Sequence, residues 1–145
     1  MAIKNKGDEY EKSKTQTLLF LAGGIAYPVL EIVWRGHTHY SMALAGGICL
    51  CGIHEICNLR MKARPLVEKC LAGAGIITGV ELVIGTIFNG ILKMHVWDYS
   101  ALPLNLFGQV CLPFSLLWGL LTIPAMGLCT LCEDAAQNTL KKKFE

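Results

Sequence analysis

Charged residues are scarce in this chain, and long stretches of it have almost none. Asp, Glu, Lys and Arg make up 17% of the 145 residues, against roughly 25% in an average soluble domain. A helix of a soluble protein needs a polar face, and these stretches have too few polar residues to form one. Together with a mean hydropathy of +0.46, this excludes an ordinary soluble domain and predicts an integral membrane protein.

The sequence motifs of several common enzyme classes are also missing. The chain contains no GxxxxGK[ST] loop, no HExxH pair and no recognisable Ser-His-Asp arrangement. It therefore cannot hydrolyse ATP in the P-loop manner, and we predict that it is not an enzyme. The net charge of +2 is too small to indicate a nucleic-acid partner.

The cysteines indicate neither a disulfide framework nor a metal centre. There are seven of them, an odd number, and most lie in apolar runs where Cys acts as a small apolar residue. Cys49, Cys51, His54 and Cys57 scatter around a helix, with only Cys51, His54 and Glu55 on one side. Cys129 and Cys132 form a lone CxxC, which is a weak zinc or redox motif. We predict no metal site and no cofactor.

Four segments are long and apolar enough to cross a bilayer, namely residues 17–34, 40–58, 66–92 and 107–129. At about 1.5 Å per residue they span roughly 27 to 40 Å, and the hydrocarbon core is about 30 Å thick. Backbone groups in lipid must bond internally, and the runs lack the alternation of a membrane barrel. These features predict an all-α, polytopic bundle of four transmembrane helices, preceded by segment 1–16 and followed by tail 130–145.

The basic residues predict the orientation of these spans. Only Arg35 and Lys93 flank one side of the predicted bundle, whereas eleven basic residues flank the other. The positive-inside rule then places both termini and the 60–69 loop in the cytoplasm, as in a multi-pass protein of a bacterial inner membrane. The eleven are Lys4, Lys6, Lys12, Lys14, Arg60, Lys62, Arg64, Lys69, Lys141, Lys142 and Lys143.

Acidic residues within the apolar segments are the sharpest functional signal. Each acidic side chain near the bilayer centre costs at least about 2.5 kcal/mol, so it should be paired with another group, hydrated or functional. Glu81 has no basic neighbour in sequence and lies too deep to reach water, which favours a functional or packing role. Glu31 either pairs with Arg35 at i,i+4 or faces a cavity. Glu55 can pair with Arg60 near the cytoplasmic edge.

The third segment carries small residues on one side and polar residues on the other. Gly75 and Gly79 form a small-xxx-small seam of the kind that lets helices pack closely. Because the seam lies about 180° from Glu81, we predict that one face packs tightly against a helix and the other faces a polar site. That polar face carries Thr78, Glu81, Gly85 and Asn89. The loop from Trp97 to Gln109 should cap this site or fold part-way into it, and we predict Asn105 as the N-cap of the fourth helix.

Two long patterns in the sequence resemble a known family. The first comprises Gly23-Gly24, Tyr27, Glu31, Trp34-Arg35-Gly36, His39, Ser41-Met42 and Gly46-Gly47. The second comprises Glu81, Gly85, Asn89, Val96 to Ser100, Pro103, Asn105-Leu106, Gly108-Gln109, Cys111 to Ser115 and Trp118. Over residues 23–118 the chain resembles small bacterial membrane proteins labelled "putative ABC-transporter permeases", the type IV group. The resemblance implies a polytopic membrane protein of the transport class, with a separate ATPase subunit as a candidate partner.

We therefore expect a permease-like protein that acts as a homo-oligomer or with partner membrane subunits. Glu31 and Glu81 would face an outward-opening cavity that suits a cation, a proton or an amine-bearing solute. The candidate site residues are Glu31, Arg35, Glu81, Asn89, Trp97, Asp98, Asn105 and Gln109.

Two other classes of function remain open. One is an accessory or scaffold subunit that does not transport and uses the Gly75/Gly79 seam to bind a partner helix. The other is a membrane enzyme acting on a lipid or a lipid-linked substrate, with His95 and Asp98 as its candidate residues.

Overall fold

The computed structural model describes residues 2–144, which form four helices and one short hairpin. Helix α1 covers Ala2–Arg35 and α4 covers Leu112–Phe144. Helix α2, Tyr40–Ile53, continues as a π-helical segment, His54–Arg60, and α3, Leu66–Gly85, continues as a second one, Thr86–Ile91. All four are long and apolar enough to cross a membrane. The predicted all-α bundle of four transmembrane helices is confirmed.

The outer helices are longer than the segments predicted to cross the bilayer. Helix α1 runs through residues 2–16 before the predicted span, and α4 continues through the tail to Phe144. The ammonium of Lys143 lies 5.1 Å from the ring centroid of Tyr10. Both terminal segments therefore lie at one end of the bundle, here called the terminal end. The opposite end, with the 36–39 turn and the 92–111 loop, is the loop end.

Helices α1 and α2 form a tight hairpin. Gly36 has a φ of +79° and turns the chain after α1, and the imidazole Nδ1 of His39 caps α2 by accepting the N–H of Ser41. Further along, a Cβ atom on Gly23 would collide with the carbonyl of Gly46, and one on Gly46 with the carbonyl of Gly23. The two backbones thus touch at this crossing, and only glycine fits on either side of it.

Two clusters of buried side chains form the core. One surrounds Leu50, Ile53 and Cys129 and lies toward the terminal end. The other surrounds Tyr27 and Trp97 and lies toward the loop end. The buried cysteines pack among aliphatic side chains, as small apolar residues do.

The predicted packing seam on α3 is wrong for contacts within the chain. A Cβ atom on Gly75 or Gly79 would meet nothing within 4 Å in the described residues, and both glycines lie on the outer surface. Instead Gly73, on the other side of α3, lies so close to Thr122 of α4 that a Cβ there would collide. A seam motif identifies small residues but not the face that the fold turns inward, which explains the error.

The predicted N-cap of α4 is also wrong, because the helix begins at Leu112 rather than near residue 107. Asn105 belongs to β1, Asn105–Leu106, which pairs antiparallel with β2, Val110–Cys111. Phe107 and Gly108 have φ angles of 53° and 67°, so the chain reverses there and helix cannot form until the hairpin has ended.

Candidate functional site

The carboxylate of Glu81 is buried where three helices meet. Glu81 lies on α3 and is only 3% exposed. The hydroxyl of Tyr27, on α1, donates to one carboxylate oxygen at 2.6 Å, and the indole N–H of Trp118, on α4, donates to the other at 2.9 Å. A buried carboxylate is tolerated only when its oxygens accept hydrogen bonds. Glu81 therefore holds α1 and α4 to α3 through its two oxygens.

Four aromatic rings form a continuous wall beside this carboxylate. Tyr27 and Trp118 have ring centroids 5.9 Å apart, and Phe114 lies 5.8 Å from Trp118. Tyr99, from the loop, stacks on Phe114 at 4.9 Å. Because aromatic rings can bind a cation over their faces, this wall offers candidate contacts for a positive charge.

Glu31 and Arg35 form an ion pair at the loop end of α1. The guanidinium Nη2 of Arg35 lies 2.7 Å from one oxygen of Glu31, and the hydroxyl of Thr38 donates to the other at 2.8 Å. The Nη1 of Arg35 donates to the carbonyl of Val96 at 3.0 Å. The pair thus connects α1 to the loop. Glu31 and Arg35 form the i,i+4 ion pair that was one of the two alternatives for Glu31 in the sequence.

A cavity of about 310 Å³ opens between α1 and α4 in front of the aromatic wall. Glu31 and Arg35 line it, so the ion pair and the cavity coexist. Glu81 does not line it and lies behind Tyr27 and Trp118. This corrects the expectation that both carboxylates face the cavity directly. Its main lining residues are Tyr27, Glu31, Trp34, Arg35, Tyr99 and Trp118.

A second cavity, of about 370 Å³, continues the same gap toward the terminal end. It shares Tyr27, Leu30 and Leu121 with the first cavity. Its remaining walls are aliphatic side chains, the Cys49 thiol and the glycines of the α1/α2 crossing. The gap between α1 and α4 is thus polar at one end and apolar along the rest of its length.

Asn89 fastens the long loop to the bundle. It lies in the π-helical segment after α3, and its amide donates to the carbonyl of Trp97 at 3.0 Å and to Gln109 at 2.9 Å. Its side-chain oxygen accepts the N–H of Val96 at 2.6 Å. The indole N–H of Trp97 in turn donates to the carbonyl of Gln109 at 2.9 Å. Asn89, Trp97 and Gln109 therefore hold the loop across the loop end.

Asp98 and Asn105 stabilise turns on the outside of the loop and do not line either cavity. The hydroxyl and the backbone N–H of Ser100 donate to the carboxylate of Asp98 and hold the pKa of that carboxyl below its usual range. Asn105 bonds to the carbonyls of Ser100 and Leu102 and accepts the N–H of Gly108.

Tyr27 and Trp118 are the site residues that sequence reasoning did not select. Both lie in apolar segments where an aromatic residue is ordinary, and no local spacing links either to Glu81. The only signal was their presence in the two patterns of the family resemblance. The structure also pairs Thr78, from the predicted polar face, with the Ser115 hydroxyl at 2.9 Å.

The polar residues at the terminal end form a separate set of contacts. Arg60 bonds to Glu55 at 3.1 Å, and His54 lies 3.4 Å from Glu133 of α4. The thiols of the CxxC pair donate to carbonyls of two different helices. Among residues 2–144, no group of three or more His, Cys, Asp or Glu could hold a metal ion.

Comparison with known proteins identifies the family. The model of a family described as "Putative ABC-transporter type IV" matches residues 18–144, nearly the whole chain. No curated protein and no solved structure matches this chain. The region that matches the family includes the carboxylate site, the aromatic wall and the loop. The chain also has four helices that are able to span a membrane. The chain is therefore a membrane protein that belongs to the Putative ABC-transporter type IV family.

Proposed function

We propose that this protein is a permease-like subunit that moves a small cationic solute or ion through the gap between α1 and α4. Membership of an ABC-transporter family and four spanning helices fit a transport-related membrane protein. The observation that carries the proposal is the buried carboxylate of Glu81, which supports the aromatic wall of the cavity.

The charges around the cavity favour a cation. The charge of Glu31 is balanced by the guanidinium of Arg35. Both hydrogen-bond partners of Glu81, by contrast, are neutral side chains. When ionised, Glu81 therefore leaves an unbalanced negative charge behind the aromatic wall. Intramembrane carboxylates are costly and commonly mark solute or ion pathways.

The proposal also covers location, partners and energy. Both termini would lie in the cytoplasm of a bacterial cell, as the distribution of basic residues predicts. Because the chain has no P-loop, a separate ATPase subunit would supply energy, and homo-oligomers or other membrane subunits would complete the pathway. The subunit itself would catalyse no reaction.

Charge movement in reconstituted vesicles tests this function. The protein, purified gently together with any subunits that remain bound to it, is placed in proteoliposomes in the presence of ATP, and currents are recorded on a solid-supported membrane after concentration jumps of inorganic and organic cations. The wild type is compared with Glu81→Gln, which keeps the size of the side chain but cannot become charged. Glu55→Gln is the matched control, because Glu55 pairs with Arg60 and lines neither cavity of the gap between α1 and α4.

The expected result is a cation-dependent current that falls at least about tenfold, or about 1.4 kcal/mol, in Glu81→Gln and is unchanged in Glu55→Gln. The folded yield of both variants should match the wild type. A Glu81→Gln variant that unfolds or fails to accumulate would instead identify a packing role and remove the basis of the proposal.

The outward-facing Gly75 and Gly79 favour a second candidate, a scaffold subunit that binds a partner helix. Small residues on the outer surface of a transmembrane helix are a common contact for another helix. Gly79→Leu should then remove a copurifying partner in native mass spectrometry, whereas the carboxylates would be dispensable. Gly127→Leu is the control, because Gly127 on α4 is equally open.

A further inference from the structure

We propose that the solute is a lipophilic cation with delocalised or shielded charge, and that it enters from the bilayer through the gap between α1 and α4. This inference rests on the proposed function and specifies its substrate class and route. It depends on the shape of the gap, on the hydrogen bonds already made by its polar groups and on the closure of the loop end.

The gap is large enough for an organic molecule and too apolar for a bare ion. The two cavities share three lining residues and have volumes of about 310 and 370 Å³, within the range of roughly 300–1,000 Å³ for small-molecule sites. The deeper cavity has almost entirely apolar walls. An inorganic ion there would lose its water without oxygen ligands to replace it, whereas an apolar molecular body would be stabilised by burial.

The polar groups at the cavity mouth are already engaged. Each oxygen of Glu31 accepts a hydrogen bond, one from Arg35 and one from Thr38. Each oxygen of Glu81 likewise accepts one, from Tyr27 or Trp118. A primary ammonium, which needs about three acceptors, would have to displace these donors.

A cation without N–H donors needs no such displacement. The four rings of the aromatic wall line the cavity, and a cation that lies over the face of such a ring is attracted by it, as in the recognition of quaternary ammonium ligands. When ionised, Glu81 behind the wall adds to this attraction. The site therefore favours quaternary or charge-delocalised cations over amines that must donate hydrogen bonds.

The route follows from which side of the cavities is open. At the loop end, Asn89 holds the loop in place and Arg35 bonds to the carbonyl of Val96. Along the gap, by contrast, Leu30 of α1 and Leu117 of α4 line the cavity and are 46% and 43% exposed. In a membrane, exposed apolar side chains at the edge of the bundle face lipid, where a lipophilic cation already concentrates.

Binding of tetraphenylphosphonium to the full chain in lipid nanodiscs tests this inference. Equilibrium dialysis with the radiolabelled cation measures binding after subtraction of empty nanodiscs. Tetraphenylborate, of similar shape and opposite charge, is the control ligand. We expect saturable binding of the cation and none of the anion.

Matched variants locate the bound cation. Leu117→Trp adds bulk inside the gap, whereas Leu116→Trp adds the same bulk one residue away, at a side chain that is 64% exposed and does not line the cavities. We expect at least about tenfold weaker binding in Leu117→Trp and no change in Leu116→Trp. If Leu117→Trp does not fold, Leu30→Trp on α1 replaces it, with Ile32→Trp as its control.

Three outcomes overturn the inference: absence of saturable cation binding, equal binding of the anion, and equal effects of the matched tryptophan variants. If tetraphenylphosphonium does not bind while another cation still gives a current that depends on Glu81, only the substrate class and route are wrong. If no cation gives such a current, the proposed function itself fails.

Discussion

The hydroxyl of Tyr27 on α1 donates a 2.6 Å hydrogen bond to the carboxylate of Glu81 on α3, 54 residues further along the chain. Trp118 completes the arrangement from α4. Three helices are thus joined at one buried acid, and the two donors also form the wall of the cavity between α1 and α4. Stability and the chemistry of the site depend on the same atoms.

Removing the Tyr27 hydroxyl should weaken the fold measurably. Tyr27→Phe keeps the ring but leaves one oxygen of Glu81 without its donor. Because a buried acceptor left without its donor costs about 1–3 kcal/mol, the free energy of unfolding should fall by about that amount. Unfolding in mixed micelles titrated with denaturing detergent measures it. Tyr40→Phe is the control, since the Tyr40 hydroxyl makes only a 3.9 Å contact with a thioether sulfur.

The helix crossing at Gly23 and Gly46 should not tolerate even one methyl group. Gly46→Ala places a Cβ against the carbonyl of Gly23, and overpacking of this kind typically costs about 1–3 kcal/mol. Gly75→Ala adds the same methyl group in open space and should be neutral or stabilising, since Ala favours helix by up to about 1 kcal/mol. Thermal unfolding of the two variants compares them directly. Equal stability of Gly46→Ala and Gly75→Ala would show that α1 and α2 have room for a methyl group at this crossing.

Loss of the Asn89 side-chain bonds should release the loop without unfolding the helices. Asn89→Ala removes all three bonds to the loop, so the N–H of Val96 and the carbonyl of Trp97 lose their partners. We expect faster hydrogen exchange at Val96 and greater quenching of tryptophan fluorescence by acrylamide. Helical content by circular dichroism should remain that of the wild type. Asn138→Ala, at an exposed position on α4, should change neither signal.

The turn at Asp98 should depend on pH in a defined direction. The pKa of Asp98 is lowered by the hydrogen bonds from Ser100, so the ionised carboxylate stabilises the turn above the usual Asp range. This contribution is lost as the pH falls through the lowered pKa. Carbon NMR of the carboxyl group should give a midpoint below the ordinary value, and Ser100→Ala should raise it. A midpoint that Ser100→Ala leaves unchanged would contradict the assignment.

The number of helices and their membrane-spanning character could be predicted because the hydropathy of a segment is averaged over many residues. A span of some twenty residues averages out an individual exception such as Glu81, and the cost of unpaired backbone in lipid leaves helix as the default. Boundaries were less predictable. The start of α4 was misplaced because the turn at Phe107 and Gly108 depends on backbone angles that no composition rule marks.

The candidate site was predictable only in part. A carboxylate deep in an apolar segment is recognisable from the sequence alone, as Glu81 was. Its donors are not, because Tyr27 and Trp118 come from other helices and are joined to it only by the tertiary fold. The same limit applies to Gly73 and Gly75, which are two residues apart: one packs against Thr122 and the other faces outward.

The π-helical segment Thr86–Ile91 holds one residue more than a regular helix would need. A π turn holds about one residue more than an α turn, so it is equivalent to a one-residue insertion in a regular helix. Deleting one residue between Thr86 and Phe88 would therefore restore regular helix and leave Asn89 in nearly its present orientation toward Val96 and Trp97. In a helix without such a turn, the same deletion would rotate everything after it by about 100° and shift it by about 1.5 Å. This segment is therefore the place in the third helix where the chain can change in length by one residue while the loop stays aligned with the bundle.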